Sequence, residues 1–270
     1  MVSAIGDALR EIVGSTAVLD SPEELMLYEY DGGLQRSTPQ AVVFPSNTQQ
    51  VVEVVKLAAA ENLPLLARGA GTGLSGGAIA ISGGIVLSTA RMNRILELDF
   101  DNLRAVVQPG VVNLDITMAA APHGYFYATD PSSQKACTIG GNVAENAGGP
   151  HTLAYGVTTN HVVGLEVVLP DGSVIRTGGK APDAPGYDLT GLMVGSEGTL
   201  GIVTEITVRL MRAPEAVKTM LGIFNSVEDA SHAVAAITSE AIIPVALEID
   251  RKSTRLNSSH SRASRMPSSA

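Results

Sequence analysis

Three clusters of glycine and small polar residues, set between apolar runs, are where this sequence could do chemistry. The first is Arg68-Gly-Ala-Gly-Thr-Gly-Leu-Ser-Gly-Gly77, with five glycines in the nine residues after Arg68. Backbone amides with little side-chain bulk can curl into a nest for phosphate oxygens, and Thr72 and Ser75 add hydroxyls. The second runs from Asp130-Pro-Ser-Ser through Thr138-Ile-Gly-Gly-Asn-Val-Ala-Glu-Asn-Ala-Gly-Gly149. Its small residues would let a flat ring approach the backbone, while Ser132, Thr138, Asn142 and Asn146 could bond its heteroatoms. The third, Gly195-Ser-Glu-Gly-Thr-Leu-Gly-Ile-Val203, leads into a strand edge that could meet a base. Each has a plainer alternative: a flexible turn, a packing turn, or an ordinary glycine-rich strand entry.

The elements that must position these clusters are legible as periodicities. Ile5, Leu9, Ile12 and Val13 recur at helical spacing before Gly14. Ser21-Pro22-Glu23-Glu24 is a capping box, and Ser46 to Gln49 reads as another ahead of a helix over 48–61 with Val51, Val54, Val55 and Ala58 on one face. Asn62 suits its left-handed C-terminal cap. Strands are expected at 41–44 and 65–67, so the first cluster sits at the end of the second strand of a β-α-β unit. Residues 78–87 resemble a strand pair. Further strands are expected at 85–87, 95–98, 105–107, 161–169, 174–176 and 201–211, with a helix over 113–121. After Ala213-Pro214, a strand over 220–224, a helix over 227–240 capped by Ser226 and a strand over 245–249 look like the opening of a second domain.

Residues 71–76 match GxGxxG, with Glu97 about twenty residues on. A nicotinamide-binding reading fails because that motif should open a helix, and a P-loop reading fails for want of Gly-Lys-Ser/Thr. Composition narrows the classes further. The formal net charge of −9 disfavours nucleic-acid partners. The single cysteine, Cys137, excludes an internal disulfide, and no apolar stretch is long enough for a membrane span. No Cys/His cluster has metal-ligand spacing.

Together, in this order and spacing, the clusters resemble the FAD-binding domain of the vanillyl-alcohol oxidase and para-cresol methylhydroxylase superfamily. The likeness is greatest to the glycolate oxidase D subunit and the D-lactate and D-2-hydroxyglutarate dehydrogenases. The resemblance implies an α+β fold with two subdomains gripping an extended FAD, followed by the truncated start of a ferredoxin-like cap. It divides the chain into an N-terminal helical segment (1–38), the FAD-binding domain (39–214) and the start of the cap (215–249). It places the pyrophosphate on Arg68, Gly69, Ala70, Gly71, Thr72, Gly73 and Ser75. The flavin side falls to Pro131, Ser132, Thr138, Gly141, Asn142, Asn146 and Gly148, and the adenine end to Glu197, Gly198, Gly201, Ile202 and Val203. No His lies between Arg68 and Gly77, so FAD is expected to bind non-covalently. The implied reaction oxidises a small 2-hydroxy acid, passing electrons to an iron–sulfur or other electron-transfer partner subunit, or to a quinone. An oxidase of another alcohol or amine, and a purely electron-transferring FAD subunit, remain open. A cytoplasmic location, peripheral at the inner membrane through partners, would follow. No catalytic base is assigned, because relatives draw it largely from the cap.

His151, just after the second cluster, either faces the flavin ring or is exposed and bonded to backbone. His123, His161 and Cys137 are read as structural. Residues 251–270 hold five of the 18 basic residues and none of the 27 acidic ones. They read either as a disordered basic tail or, by preference, as a non-native segment resembling translated sequencing-adapter read-through, with the protein proper continuing past Ile249.

Overall fold

The computed structural model describes residues 4–179 and 186–249; the basic tail lies outside them. Two sheets divide most of the described chain. In the first unit, α1 (Ala4–Val13) ends at Gly14, whose φ of 93° only glycine adopts cheaply. β1 (Val18–Leu19) then pairs antiparallel with β2 (Ala41–Val43), so the N-terminal segment contributes a strand as well as helices. Between them, α2 (Pro22–Leu25) starts with the expected Ser21–Glu24 capping box. The cap of α3 (Thr48–Ala60) falls one residue later than expected. Asn47 accepts from the Gln50 amide, and the Gln50 side chain accepts from the Ser46 amide at 2.8 Å. Asn62 takes the left-handed conformation after α3.

β3 (Leu65–Arg68) and β4 (Ile85–Ser88) complete a sheet of order β1-β2-β4-β3. β4 lies parallel to both β2 and β3, so the two strands flanking α3 never touch. Val51, Val54, Val55 and Ala58 of α3 are buried with Ile85 and Leu87, and Val52 is buried too because α1 also packs against the helix. Residues 78–84 form turns rather than half of a strand pair: Ile79 donates to the Gly76 carbonyl and Gly83 to Ala80. Gly84 explains why. Its φ is +83° and a Cβ there would strike the Pro64 carbonyl, so the backbone turns sharply into β4 beside β3.

The second unit is an antiparallel sheet of β5 (Ile95–Asp99), β6 (Arg104–Val107), β8 (Val162–Val168), β9 (Val174–Gly178) and β10 (Ile202–Arg209), in the order β5-β6-β10-β8-β9. β10 alternates as a half-buried strand should, sending Ile202, Thr204, Ile206 and Val208 inward. One sheet face is covered by α4 (Asn113–Ala120) and α5 (Ile139–Glu145), whose Ile116, Ile139 and Val143 join Val107, Leu165, Ile206 and Val208 in one core. A two-stranded ribbon, β7 (Tyr125–Phe126) with β11 (Met211–Arg212), and short helices α6 (Thr152–Tyr155) and α7 (Leu189–Met193) complete the unit. The units share a wall. Val168 and Ile202 belong to the core of the first, and Thr48 at the start of α3 donates to Glu166 of β8 at 2.7 Å. Burial opposes the Glu166 charge, but hydrogen bonds from Thr48, Thr204 and Arg176 outweigh it and hold its pKa below the ordinary value.

Beyond β11, α8 (Val227–Ser239) forms as expected, with the Ser226 hydroxyl accepting from the Asp229 amide at 3.0 Å. The strands expected over 220–224 and 245–249 do not form. A strand needs a neighbour for its N–H and C=O groups, and neither segment has one among the described residues. Met220, Leu221, Ile223 and Ile249 are left exposed.

Candidate functional site

The first glycine cluster is a loop held from beneath. Arg68 ends β3 and is buried, at 7% exposure. Its guanidinium donates to the carbonyls of Ala78 at 2.8 Å and Tyr30 at 2.7 Å and lies over the Tyr28 ring. Burial pulls its pKa down, while Tyr28, Asp31 and Tyr30 favour the charge. The side chain therefore staples the loop rather than reaching for a phosphate. Gly71 crosses directly over it with φ +69°, and a Cβ there would strike the guanidinium. From the other side the Gly32 amide donates to the Gly73 carbonyl at 2.9 Å. Ala70 and Thr72 are exposed, and the Ser75 hydroxyl donates to Glu145 at 2.9 Å.

The second cluster is organised differently, because its middle is helical. Thr138 caps α5 by accepting from the Gly141 amide at 3.4 Å, and Asn146 closes it in the left-handed conformation. This helix went unread in the sequence. Its glycines masked Ile139 and Val143, whose spacing of four is the signal that could have revealed it. The Asn142 side chain is turned inward, accepting from Asn113 at 2.8 Å beside Cys137, and the Asn146 side chain accepts from the Thr159 amide. Gly148 packs beside Thr152, Ser132 is exposed, and Pro131 is buried.

The third cluster is tied to α5 by backbone. The Gly195 amide donates to Val143 at 2.8 Å and the Glu197 amide to Ala144 at 2.9 Å. Gly195, Glu197 and Gly198 all have positive φ. Gly201 is glycine for packing, since a Cβ would meet Val167 Cγ1 at 2.6 Å.

Parts of the three clusters converge on a cleft between the two sheets that is partly open to solvent. Of the residues expected from the sequence, Arg68, Gly69, Gly141, Gly198, Gly201, Ile202 and Val203 line it. Ala70, Gly71, Thr72, Gly73, Ser75, Pro131, Ser132, Thr138, Asn142, Asn146, Gly148 and Glu197 lie outside its wall. Gly140 and Ser196, inside the second and third clusters but given no role from the sequence, also line it, and Thr89, Pro109 and Met193 line it and were missed. The Pro109-Gly110 step after β6 was the one local cue; Thr89 and Met193 carry none. The wall suits a ligand read mainly by backbone. Gly69 lies so close to Thr138 that a Cβ would collide with its hydroxyl, and Gly140 packs on Pro109. A Cβ on Gly198 would meet nothing within 4 Å. Close-packed glycines leave main chain bare toward the open side, which is what an extended dinucleotide requires.

Among the described residues no helix is long and apolar enough to cross a membrane, and no group of three or more His, Cys, Asp or Glu could hold a metal ion. Glycolate oxidase subunit GlcD of Bacillus subtilis (strain 168) is 47% identical over 246 residues, covering 90% of this chain and 52% of that protein. D-lactate dehydrogenase of Archaeoglobus fulgidus is 42% identical over 212 residues, covering 78% of this chain and 47% of that protein. The chain thus spans about half the length of these curated relatives. A solved alkyldihydroxyacetonephosphate synthase has the same fold, with a TM-score of 0.79 at 23% identity over 88% of this chain and 50% of that one. The FAD binding domain family matches residues 39–178. That match takes in the first two glycine clusters and the strands that carry them, and the chain belongs to the FAD binding domain family.

Proposed function

We propose that this chain is the FAD-holding part of a flavoprotein that oxidises a small 2-hydroxy acid, such as glycolate or D-lactate, to the 2-keto acid. The observation that carries it is the convergence of parts of three separate glycine clusters on one cleft between two sheets. The 47% identity to a glycolate oxidase subunit supports the substrate class.

The domain running over 39–214 holds the cofactor without a covalent bond. Its first loop, residues 69–73, binds the pyrophosphate through backbone amides, with Arg68 fixing the loop and Ser75 bracing it on Glu145. Pro131, Ser132, Thr138, Gly141, Asn142, Asn146 and Gly148 form the flavin side. Asn142 and Asn146 serve there as supports, since their side chains are bonded to protein. Glu197, Gly198 and the strand start Gly201–Val203 receive the adenine end. When bound, FAD supplies two-electron acceptor chemistry; the protein positions it and excludes water. Residues 215–249 begin a second domain that completes the substrate site. Electrons leave to a partner subunit of iron–sulfur or other electron-transfer type, or to a quinone, in a cytoplasmic protein. The word "subunit" in the relative's name favours a second reading, in which the chain serves a multi-subunit complex as its FAD carrier.

Reconstitution tests this directly. The purified chain, incubated with FAD, FMN or NAD and passed through gel filtration, is expected to keep a flavin spectrum with FAD alone. FMN contains no adenine, so equal retention of FMN would overturn the assignment of the third cluster.

A further inference from the structure

One titratable pair bracketing the second glycine cluster has no part in the function so far. Asp130 stands at the entry to the cluster and His151 at its exit, immediately before α6. His151 Nδ1 and Asp130 Oδ2 meet in a hydrogen bond, and the His151 amide donates to Asp130 Oδ1 at 3.4 Å. Gly149 allows this closure, because a Cβ there would run into the Asp130 carbonyl and carboxylate. Both side chains are mostly buried, at 27% exposure for His151 and 17% for Asp130. His151 is the only ion-pair partner of Asp130 among the described residues. The other titratable group against the imidazole is Tyr155 of α6, at 6.2 Å between ring centroids, itself set edge-on to Phe126 of β7.

A carboxylate on Nδ1 selects the tautomer with its proton on that nitrogen and leaves the lone pair on Nε2. Nε2 makes no hydrogen bond among the described residues and is not sealed away from solvent. A carboxylate–imidazole pair with one open nitrogen is built to accept a proton and stabilise the resulting imidazolium.

We infer that Asp130 and His151 take up the proton left over when a 2-hydroxy acid reduces the flavin. The inference rests on the reading that the second cluster carries the flavin ring. Oxidation of the hydroxy acid breaks its C2–H and O–H bonds and forms the carbonyl, releasing two electrons and two protons in all. The C2 hydride carries both electrons and one proton to the ring. The hydroxyl proton remains, and it forms a new N–H bond at His151 Nε2. The imidazolium, held on Nδ1 by Asp130, then offsets the negative charge that reduction adds to the ring. The pair acts through charge and proton balance, so its signature lies in the pH dependence of reduction.

The test is spectroelectrochemical titration of the FAD-loaded chain from about pH 5 to 8, the range in which an imidazole titrates. The wild-type chain is expected to take up two protons per two electrons over part of that range where His151→Gln takes up one. FAD affinity should stay within about twofold, since glutamine can keep the bond to Asp130. Identical proton counts overturn the inference and leave the functional reading standing; failure of the wild-type chain to retain FAD overturns both. If His151→Gln does not fold, ¹⁵N NMR of the wild-type chain decides. The His151 nitrogens should change from the Nδ1–H tautomer to imidazolium on reduction at constant pH, and unchanged shifts overturn the inference.

Discussion

The first and second glycine clusters are both rich in glycine and have opposite constructions. Residues 69–77 remain a loop because no apolar residue within them is buried in the core and Gly71 and Gly76 have positive φ. Their shape comes from outside: the Arg68 guanidinium on the carbonyls of Ala78 and Tyr30, and the strap from Gly32 to Gly73. Within residues 138–149, Ile139–Glu145 form a helix because Ile139 and Val143 are fully buried and Thr138 caps the first turn. Glycine there is required by packing, at Gly140 against Pro109 and at Gly149 against Asp130. Glycine content thus announces a backbone-lined site, but the buried residues around it decide how that backbone is held.

The largest way to break this comparison is to remove the outside support. Arg68→Met would leave the part-buried carbonyls of Ala78 and Tyr30 without their donors and is expected to cost about 3 kcal/mol, with Tm falling by roughly 10 °C and FAD retention lost. A melt within about 2 °C of wild type would show that the loop holds itself. Gly141→Ala probes the helical cluster. A Cβ there meets only Thr138 Oγ1, at 3.5 Å, so the helix should gain about 0.5–1 kcal/mol. The added methyl stands on the cleft wall, and FAD affinity should fall about tenfold, equivalent to about 1.4 kcal/mol. Thermal melts and FAD titration read the two effects separately, and a parallel fall in both would mean that the glycine is structural.

The smallest expected effect concerns the residue before β8, where His161 Nε2 bonds the Tyr155 carbonyl at 2.8 Å. Burial pulls the His161 pKa below 6.5, with the bond to Tyr155 opposing and Arg209 adding to the fall. The unfolded chain therefore binds the proton first. Stability from this group is complete above about pH 6.5 and is lost as pH falls toward the lowered folded value. Urea midpoints at pH 7.5 and 5.5 should differ less in His161→Gln than in wild type. An equal difference would place the acid sensitivity elsewhere.

The features legible before the fold was known are those that rest on near neighbours. The Ser21–Glu24 capping box, the left-handed Asn62, the α3 face, the β8–β9 hairpin and the alternation of β10 are each set by residues within a turn or two. The three clusters were legible for the same reason, since glycine spacing is local. Tertiary structure alone decided which of those residues wall the cleft. The insertion of β4 between β2 and β3 carries Thr89 to the cleft, and the strand edge at Gly201–Val203 needs β8 behind it. The contact of Gly69 with Thr138 joins positions far apart in the chain. Residues 220–224 and 245–249 mark the same boundary from the other side. Both carry strand-like patterns, yet a strand forms only where a second backbone supplies its hydrogen bonds, and none does among the described residues.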